Sequence, residues 1–330
     1  MQNASEPLPP SLIWRERAIG VFLLGLVFAL GFGLFAHKVS DTFQLLGTVS
    51  RLLDSLRPYL LILSGVLGGV LVWGGLRWIG IVCILVAFGG LGVLALDHRA
   101  RTSAPGTSAD LTVLWFNIFS DNAVPAAQLE AAVRASGADV VAFAEAEPAF
   151  EPAVALSDLY PHRYGCVRLV DCEILILSRY PLYDARSWDL PTGSDRLVRA
   201  TLNHPTLGLV PMVWVHLTKP WYQVVGNREE KALNNALRWS REGRMIVMGD
   251  FNAAPWSLRL DKITRHRRLR MAPVPVGTWP SEAGALGVPI DHVLVRGDAR
   301  ILDLSAWGAD LGSNHRGLRA EITLAPAAVD

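Results

Sequence analysis

Charged residues are scarce in this 330-residue chain, at 18% of the sequence, whereas hydrophobic residues make up 51%. This composition excludes a disordered chain, which would be poor in apolar residues. Neither sign of charge dominates, with 31 Lys and Arg against 30 Asp and Glu, so bulk charge gives no reason to expect a polyanionic partner. Three cysteines are too few for a scaffold built on disulfides, and the sequence has no internal repeat.

Long apolar runs are present instead, and they lie in the first hundred residues. The segment 18–36 carries no charged residue and is long enough to cross a hydrocarbon core of roughly 30 Å. From Pro58 to Leu96 the only charged residue is Arg77, which predicts two further spans joined by a tight turn. A cleaved signal peptide is the alternative for the first run, but its usual apolar length is only about 7 to 15 residues. We predict a membrane anchor over 1–96 with three transmembrane helices, at about 18–36, 59–76 and 78–96.

Two connecting segments differ in composition from the predicted spans. Residues 39–57 place leucines at loosely helical spacing, which fits an interfacial amphipathic helix or an ordinary connecting loop. Residues 97–110 are small and polar and include Pro and Gly, as a flexible linker does. The remaining residues, 111–330, are enough for one domain with a sizeable core.

The sequence gives conflicting indications of the side of the membrane on which this domain lies. The count of Lys and Arg near the spans favours the cytoplasm, whereas Arg15 and Arg17 beside the first span favour the opposite side. Cys166 and Cys172 are six residues apart around a predicted turn, where a hairpin disulfide is sterically possible. Such a disulfide would indicate an oxidising compartment, and two buried thiols are the alternative.

Short apolar runs bounded by turn residues recur after residue 110 and predict strands. They lie at 111–116, 140–144, 173–177, 197–202, 209–215, 245–248, 293–295 and 318–324. Helical patterns lie between some of them, at 125–136 and 228–241. Strands and helices do not alternate strictly, and closely spaced strands imply hairpins. We therefore predict an α/β domain with one mixed sheet or two packed sheets.

Polar side chains stand at the ends of many of these strands. The set comprises Asn117, Glu145, His216, Asp250, Asn252, Asp291, Asn314 and His315. A single buried Asp or His is more often a capping or core group than a functional one. Loops at strand ends are nevertheless where rigid scaffolds present functional groups, so convergence of the whole set would make a site.

The segments around these positions form motifs. They are ILSRYPL at 176–182, WVHL at 214–217, GDFNAAPWS at 249–257, PIDHVLV at 289–295 and GSNHRGL at 312–318. In this order they resemble the endonuclease/exonuclease/phosphatase superfamily of metal-dependent phosphoesterases, over nearly all of 111–325. The resemblance implies a four-layer α-β-β-α sandwich of two mixed sheets. Similarity to membrane-anchored bacterial members implies a bacterial inner membrane, and Arg15, Arg17 and the possible disulfide lead us to predict the domain on its periplasmic side.

The resemblance also implies hydrolysis of a phosphodiester or phosphomonoester by in-line attack of water. By similarity, Glu145 would hold a divalent cation, Mg²⁺ or alternatively Mn²⁺, with Asn117 beside it. Oxygen ligands suit such a hard ion, which binds through one or two carboxylates and the substrate phosphate. Glu147 is an alternative ligand two residues further on.

The remaining residues of the set would take catalytic roles by the same similarity. His315 would act as general base or electrostatic partner, since an imidazole titrates close to working pH. Asp250 would orient or deprotonate the water, and Asn252 would donate hydrogen bonds to the phosphoryl oxygens. His216 would assist the leaving group, and Asp291 would orient a histidine or bind metal.

One position departs from the family pattern, because Asn314 stands where an Asp usually precedes the terminal histidine. An amide oxygen can accept a hydrogen bond from His315 but contributes no negative charge. In the serine-protease triad, changing the orienting Asp to Asn lowers turnover about 10⁴-fold. Asp291 or Asp310 would have to substitute. The alternative function is therefore a catalytically impaired binding module, tethered to the membrane and using the same fold.

The sequence leaves the substrate open between nucleic acid and a phospholipid headgroup. The one basic run, RHRRLR at 265–270, fits either a solvated helix end or a patch that contacts phosphates. Trp221 and Tyr222 follow His216 closely and would stack on bases or insert among headgroups. The expected partners are thus the phosphoester substrate and the bilayer, with no protein partner evident.

Overall fold

A computed structural model describes residues 10–39, 44–104, 106–166, 172–239 and 243–324, and the chain divides into two compact units, Met1–Asp97 and His98–Asp330. The α-helices are α1 (Pro10–Phe35), α2 (Gln44–Asp54), α3 (Arg57–Trp73), α4 (Arg77–Ala100), α5 (Ala126–Ser136), α6 (Phe150–Ala155), α7 (Gln223–Ala236) and α8 (Leu258–Arg267). The strands are β1 (Leu111–Asn117), β2 (Val140–Ala144), β3 (His162–Tyr164), β4 (Ile174–Ser178), β5 (Leu182–Leu190), β6 (Gly193–His204), β7 (Gly208–His216), β8 (Met245–Asp250), β9 (Asp291–Arg296), β10 (Ala299–Trp307) and β11 (Gly317–Leu324).

The described part of the first unit is helical and apolar. Two helical segments are long and apolar enough to cross a membrane, Arg17–Lys38 and Arg77–Ala100. A third span results if α2 and α3, which meet at a bend of 86°, count as one. A proline, Pro58, stands in the first turn of α3, where its missing amide costs no hydrogen bond but where it interrupts a preceding helix. Two or three apolar helices are thus consistent with the three spans predicted from the sequence.

The turn between α3 and α4 lies where the sequence predicts it. Helix α3 ends at Trp73, and Gly75 adopts a φ of 98°, which favours glycine. Beyond the turn the two helices approach closely, because a Cβ added at Gly68 would lie 2.9 Å from the carbonyl oxygen of Gly80. Small residues allow this packing between apolar helices. The helix expected within 39–57 corresponds to α2, and residues 40–43 lie outside the described residues.

The second unit is a sandwich of two mixed sheets. One sheet has the strand order β10-β11-β1-β2-β4-β3 and the other β5-β6-β7-β8-β9. The pairs β1/β2 and β7/β8 are parallel, and the remaining pairs in both sheets are antiparallel. One buried apolar cluster lies between the sheets and includes Trp115 and Trp214. Two outer clusters cover the other faces with helices, one through Leu129 of α5 and one through Leu233 of α7. The four-layer α/β sandwich is therefore confirmed.

The eight predicted strands are all present, with boundaries shifted by a few residues. The strands β3, β5 and β10 were not predicted from the sequence. All three are edge strands with partly exposed faces, and none is a continuous apolar run. The helices α6 and α8 were not predicted either. The helix predicted at 228–241 begins earlier, at Gln223, and ends at Ala236.

The segment predicted as a flexible linker, 97–110, is largely packed onto the second unit. Nε2 of His98 lies 3.2 Å from the carbonyl oxygen of Ala272, and Arg101 donates to the carbonyl of Pro255 at 3.0 Å. Ser103 pairs through its amide with Met271. Residue 105 lies outside the described residues. The side chains of His98, Arg101 and Ser103 are buried, whereas residues 107–109 are exposed.

Cys166 and Cys172 form a disulfide, with their Cα atoms 4.7 Å apart. The residues between them, 167–171, lie outside the described residues. Cys83 in α4 is a free cysteine. The hairpin disulfide that the spacing allowed is therefore present, in preference to two buried thiols.

Candidate active site

The register of three neighbouring strands gathers the first group of polar side chains. In the second sheet, His216 of β7 pairs with Asp250 of β8, and Asp250 pairs with Asp291 of β9. Residues paired across neighbouring strands point to the same face of a sheet. The ends of β7 and β8 and the start of β9 thus place an imidazole and two carboxylates side by side.

Asp291 orients the terminal histidine. Its Oδ2 lies 2.9 Å from Nδ1 of His315, and its Oδ1 accepts a hydrogen bond of 2.9 Å from the indole of Trp115. The carboxylate is buried, as is the imidazole. A hydrogen bond at Nδ1 fixes which ring nitrogen faces the site, so Nε2 of His315 is presented to it.

The second histidine has a carboxylate partner of its own. Nδ1 of His216 forms a short hydrogen bond with Oε1 of Glu173, which also pairs with Arg196 at 3.1 Å. Glu173 directly precedes β4. The site therefore holds two histidine–carboxylate pairs, each with one member from either sheet.

Both imidazoles converge on the buried carboxylate of Asp250. Its Oδ2 lies 3.6 Å from Nε2 of His216 and 3.9 Å from Nε2 of His315. Asp250 is 1% exposed and belongs to the innermost part of the site. This convergence of two oriented histidines on one carboxylate is the central feature of the arrangement.

The other sheet contributes Asn117 and Glu145. The amide Nδ2 of Asn117, at the end of β1, lies 3.3 Å from Oε1 of Glu145 and 3.2 Å from Oδ2 of Asp250. Glu145 follows β2 in a left-handed conformation, with a φ of 49°, and its Oε2 accepts a hydrogen bond from the amide of Ser120. Non-glycine residues held in this region cluster at functional sites.

Asn252 also adopts a left-handed backbone, with a φ of 47°. Its amide N–H donates to Oδ1 of Asp250 at 2.7 Å, so the Asx turn at this position is formed by Asp250 and not by Asn252. The side-chain Nδ2 of Asn252 donates to the carbonyl of Leu217 at 2.8 Å. These contacts hold the amide group beside the buried carboxylate.

The charges of the site are strongly coupled. Burial by itself would lower the pKa of His315, but the charge of Asp291 and its hydrogen bond raise it to about 9. Burial would raise the pKa of Asp291, and the neighbouring His315 holds it below its ordinary value. Burial and then the charge of Asp291 raise the pKa of Asp250. The charge of Asp291 therefore favours the imidazolium form of His315.

The oxygen ligands of the site suit a hard divalent cation. Ligand atoms of Asp250, Asp291 and His315 lie within 4.8 Å of one another. Asp291 is fully buried and is held by His315 and Trp115, whereas the side chain of Glu145 is partly exposed, which makes Glu145 the more accessible carboxylate ligand. In addition, Oδ1 of Asn314 is buried without a hydrogen-bond partner among the described residues.

Three residues that the sequence offered as alternative orienting groups or metal ligands do not take these roles in the described structure. Asn314 does not orient His315, because Asp291 accepts the bond from Nδ1. Asp310 is exposed and lines a separate depression with Trp307. Glu147 is exposed in a short helical turn after Glu145.

Two residues of the site escaped the sequence reasoning. Glu173 opens an apolar run, as Asp291 does, but it lies in none of the family motifs. Because β4 runs antiparallel to β2, its start lies next to Glu145. The sequence feature that could have identified Glu173 is its position as a single carboxylate directly before an apolar run. Ser313 donates to the carbonyl of Asn117 at 2.7 Å and accepts from the amide of His315 at 3.0 Å. It fixes the loop that carries His315.

Comparisons with known proteins agree with this geometry. The family model described as Endonuclease/Exonuclease/phosphatase family matches residues 114–315. A solved endonuclease/exonuclease/phosphatase from Beutenbergia cavernae DSM 12333 is similar at 19% identity and a TM-score of 0.53, over 66% of this chain and 72% of that one. One from Bacteroides vulgatus is similar at 17% identity and 0.52, over 66% and 100%.

A further similar structure is D. rerio TDP2 complexed with single strand DNA product, at 15% identity and a TM-score of 0.51, over 64% of this chain and 98% of that one. Likeness at these identities shows the fold. A comparison with curated proteins finds no matching sequence.

Proposed function

Because this chain belongs to the Endonuclease/Exonuclease/phosphatase family, we propose that it is a membrane-anchored, divalent-metal-dependent hydrolase of phosphodiesters. The observation that supports this most is the convergence of His216 and His315 on Asp250, each imidazole being held by its own carboxylate. Hydrolysis by in-line attack needs a positioned water, stabilisation of the phosphoryl charge and protonation of the leaving oxygen. The site offers a group for each.

The side chains divide these tasks by charge and position. Asp250 accepts the hydrogen bond that orients the attacking water. His315, held as an imidazolium by Asp291, stabilises negative charge that develops on the phosphoryl oxygens. His216, oriented by Glu173, protonates the leaving oxygen, and Asn252 donates an amide hydrogen bond to a phosphoryl oxygen.

Glu145 would hold the cation, with Asp250 and the side chain of Asn117 next to it. When bound, Mg²⁺ or Mn²⁺ would neutralise charge on the phosphate and polarise it toward attack. Oε1 of Glu145 and Oδ2 of Asp250 both accept hydrogen bonds from Nδ2 of Asn117, so the two carboxylates are neighbours. The nearness of Glu145 to Asp250 supports Glu145, rather than the exposed Glu147, as the metal ligand.

One exposed aromatic platform beside the site bears on the substrate class. The exposed rings of Trp221 and Tyr222 lie 6.1 Å apart in the loop after β7, with Lys219 over the ring of Trp221 at 5.6 Å. Such a platform suits stacking on a nucleic-acid base. It also suits insertion among lipid headgroups, which membrane anchoring would bring close. The similar D. rerio structure holds single-stranded DNA, which favours nucleic acid.

The full chain in detergent should be tested against single-stranded DNA, RNA, phospholipid vesicles and sugar phosphates, with Mg²⁺ or with EDTA. Turnover on one class only, abolished by EDTA, would support the proposal and name the substrate. Absence of turnover on all of them, with folded protein, would support the alternative of a binding module.

A periplasmic location is supported by the disulfide between Cys166 and Cys172, since such bonds persist in oxidising compartments. Fusions of alkaline phosphatase and of a fluorescent protein after Ala104 would test it. Phosphatase activity is the expected result, and cytoplasmic fluorescence would overturn the assignment.

A further inference from the structure

A basic groove of about 1380 Å³ lies in the second unit, apart from the candidate active site. Eight arginines and His266 line it, and none of its described lining residues is Asp or Glu. The side chains of Arg99, Arg268 and Arg270 are exposed in it. Guanidinium groups gathered in this way form a surface that attracts phosphates, which they bind bidentately.

The groove stands on paired backbone segments. The amide of Ser103 donates to the carbonyl of Met271, and the amide of Met271 donates to the carbonyl of Arg101. On the other side of the same segment, Arg270 and Val295 exchange two backbone hydrogen bonds, of 2.7 and 2.9 Å. Arg101 and Arg270 therefore lie in a small extension of the sheet rather than in a free loop.

Like charges in the groove oppose one another. Burial, and then the positive charge of Arg267, lowers the pKa of Arg296. Asp261 compensates part of the charge at one side, where it pairs with Arg101 and with Arg265. A bound anion would relieve the remaining repulsion, because it adds negative charge among closely spaced guanidinium groups.

The groove and the candidate active site lie at opposite ends of the same two strands. Met245 at the start of β8 pairs with Arg296 at the end of β9, whereas Asp250 and Asp291 pair at the other end. Five residue steps separate the two ends, a distance of about 17 Å at roughly 3.3 Å per residue. The chain enters the second unit at His98, and Arg99 through Ala104 line the groove.

We propose that the basic groove binds the phosphate headgroups of anionic phospholipids at the membrane surface. Arg99 lies at the last turn of the candidate span Arg77–Ala100, at the point where a spanning helix leaves the hydrocarbon core. Basic clusters directly beyond a membrane helix bind anionic lipids. A nucleic-acid substrate would need positive charge leading to the catalytic residues, which lie at the other end of β8 and β9.

The position of the groove also bears on the substrate, an inference that rests on the proposed function. With the groove at the membrane surface, Asp250 and Asp291 lie about 17 Å along β8 and β9 from the groove. The hydrolase would then take a phosphodiester from the water phase rather than a lipid of the bilayer that anchors it.

The test compares two triple variants of the full chain that lose the same net charge. R99Q/R268Q/R270Q removes exposed arginines of the groove, and R163Q/R186Q/R228Q removes exposed arginines elsewhere on the second unit. Native mass spectrometry of the detergent-purified chain would measure the affinity for phosphatidylglycerol and for phosphatidylcholine. Each arginine near an anionic lipid contributes about a five-fold factor, so the groove variant should bind phosphatidylglycerol roughly a hundred-fold more weakly.

The wild type and the control variant should both prefer phosphatidylglycerol. Equal affinity of the two variants, no preference of the wild type, or displacement of the lipid by a single-stranded oligonucleotide that binds more tightly would overturn the proposal. If the groove triple fails to fold, R268Q against R186Q gives the same comparison, with about a five-fold loss expected. Hydrolysis of a soluble phosphodiester should be unchanged in folded groove variants, and a wild type without hydrolysis would contradict the proposed function alone.

Discussion

Nδ1 of His315 lies 2.9 Å from Oδ2 of Asp291, a residue 24 positions earlier in the chain, and not against the neighbouring Asn314. The negative charge that the sequence appeared to lack beside this histidine is thus provided by another strand. Asp291 is itself held by the indole of Trp115, so the imidazole stands on a fixed carboxylate. The departure from the family pattern at Asn314 therefore does not remove the histidine–carboxylate pair.

This relationship predicts opposite results at two neighbouring positions. Asp291→Asn removes the charge that stabilises the imidazolium of His315 and should lower turnover by about 10³ to 10⁴-fold, as in the serine-protease triad. Asn314→Asp should change turnover by less than about ten-fold, because Nδ1 of His315 is already bonded to Asp291. Steady-state kinetics of both variants check this, and a larger loss at Asn314 than at Asp291 would reverse the assignment.

Glu173 should matter although no strand-end pattern marks it. Glu173→Gln removes the charge that orients His216 and should lower turnover roughly ten- to hundred-fold. Glu230→Gln is the matched control, because Glu230 is similarly buried, at 19% against 18% side-chain exposure, and also pairs with an arginine. Similar activity of the two variants would show that the pair of Glu173 and His216 is only structural.

Two nearby glutamates distinguish the metal ligand. Glu145→Gln should raise the Mg²⁺ concentration needed for half-maximal turnover by at least about ten-fold, because a carboxylate ligand becomes a neutral amide. Glu147→Gln, at an exposed position two residues on, should leave the Mg²⁺ dependence unchanged. Titration of activity with Mg²⁺ measures both variants. A change in the Mg²⁺ dependence of Glu147→Gln alone would assign the metal to Glu147 instead of Glu145.

The raised pKa of His315 predicts a pH dependence of stability in EDTA. Its pKa of about 9 in the folded chain exceeds the ordinary value of 6.5, so the folded state binds the proton more tightly. The resulting stabilisation, about 3 kcal/mol, is fully present below pH 6.5 and is lost as the pH rises through 9. Thermal unfolding between pH 6 and 10 should show this loss for the wild type. A His315→Asn variant with the same pH dependence would contradict it.

Much of the fold could be predicted because the domain's inner strands are continuous apolar runs. The strands β1, β2 and β8 are buried on both faces and carry their polar groups only at their ends, which made both the strands and the site residues visible. Edge strands such as β5 and β10 expose one face and alternate weakly, so nothing in their composition separated them from loops.

The site could be predicted in its membership but not in its pairing. The sequence named His216 and His315 without showing which carboxylates orient them, since Glu173 and Asp291 lie 43 and 24 residues away. The two members of each pair come from different sheets, so only the packing of one sheet on the other brings them together. The basic run at 265–270 was interpreted as a helix end, and α8 does end there; that it also lines a groove depends on Arg99 and Arg296, which are distant in the chain.

The most direct test of the central claim is metal-dependent hydrolysis of bis(p-nitrophenyl) phosphate by the full chain, comparing Asp250→Asn with the wild type. Asp298→Asn, which breaks an ion pair with Arg244 outside the site, is the control. We expect turnover that requires Mg²⁺ or Mn²⁺, persists in the control and falls by at least about 10³-fold in Asp250→Asn, because both histidines converge on this carboxylate. Turnover that survives in Asp250→Asn, or that does not depend on metal, would contradict the account.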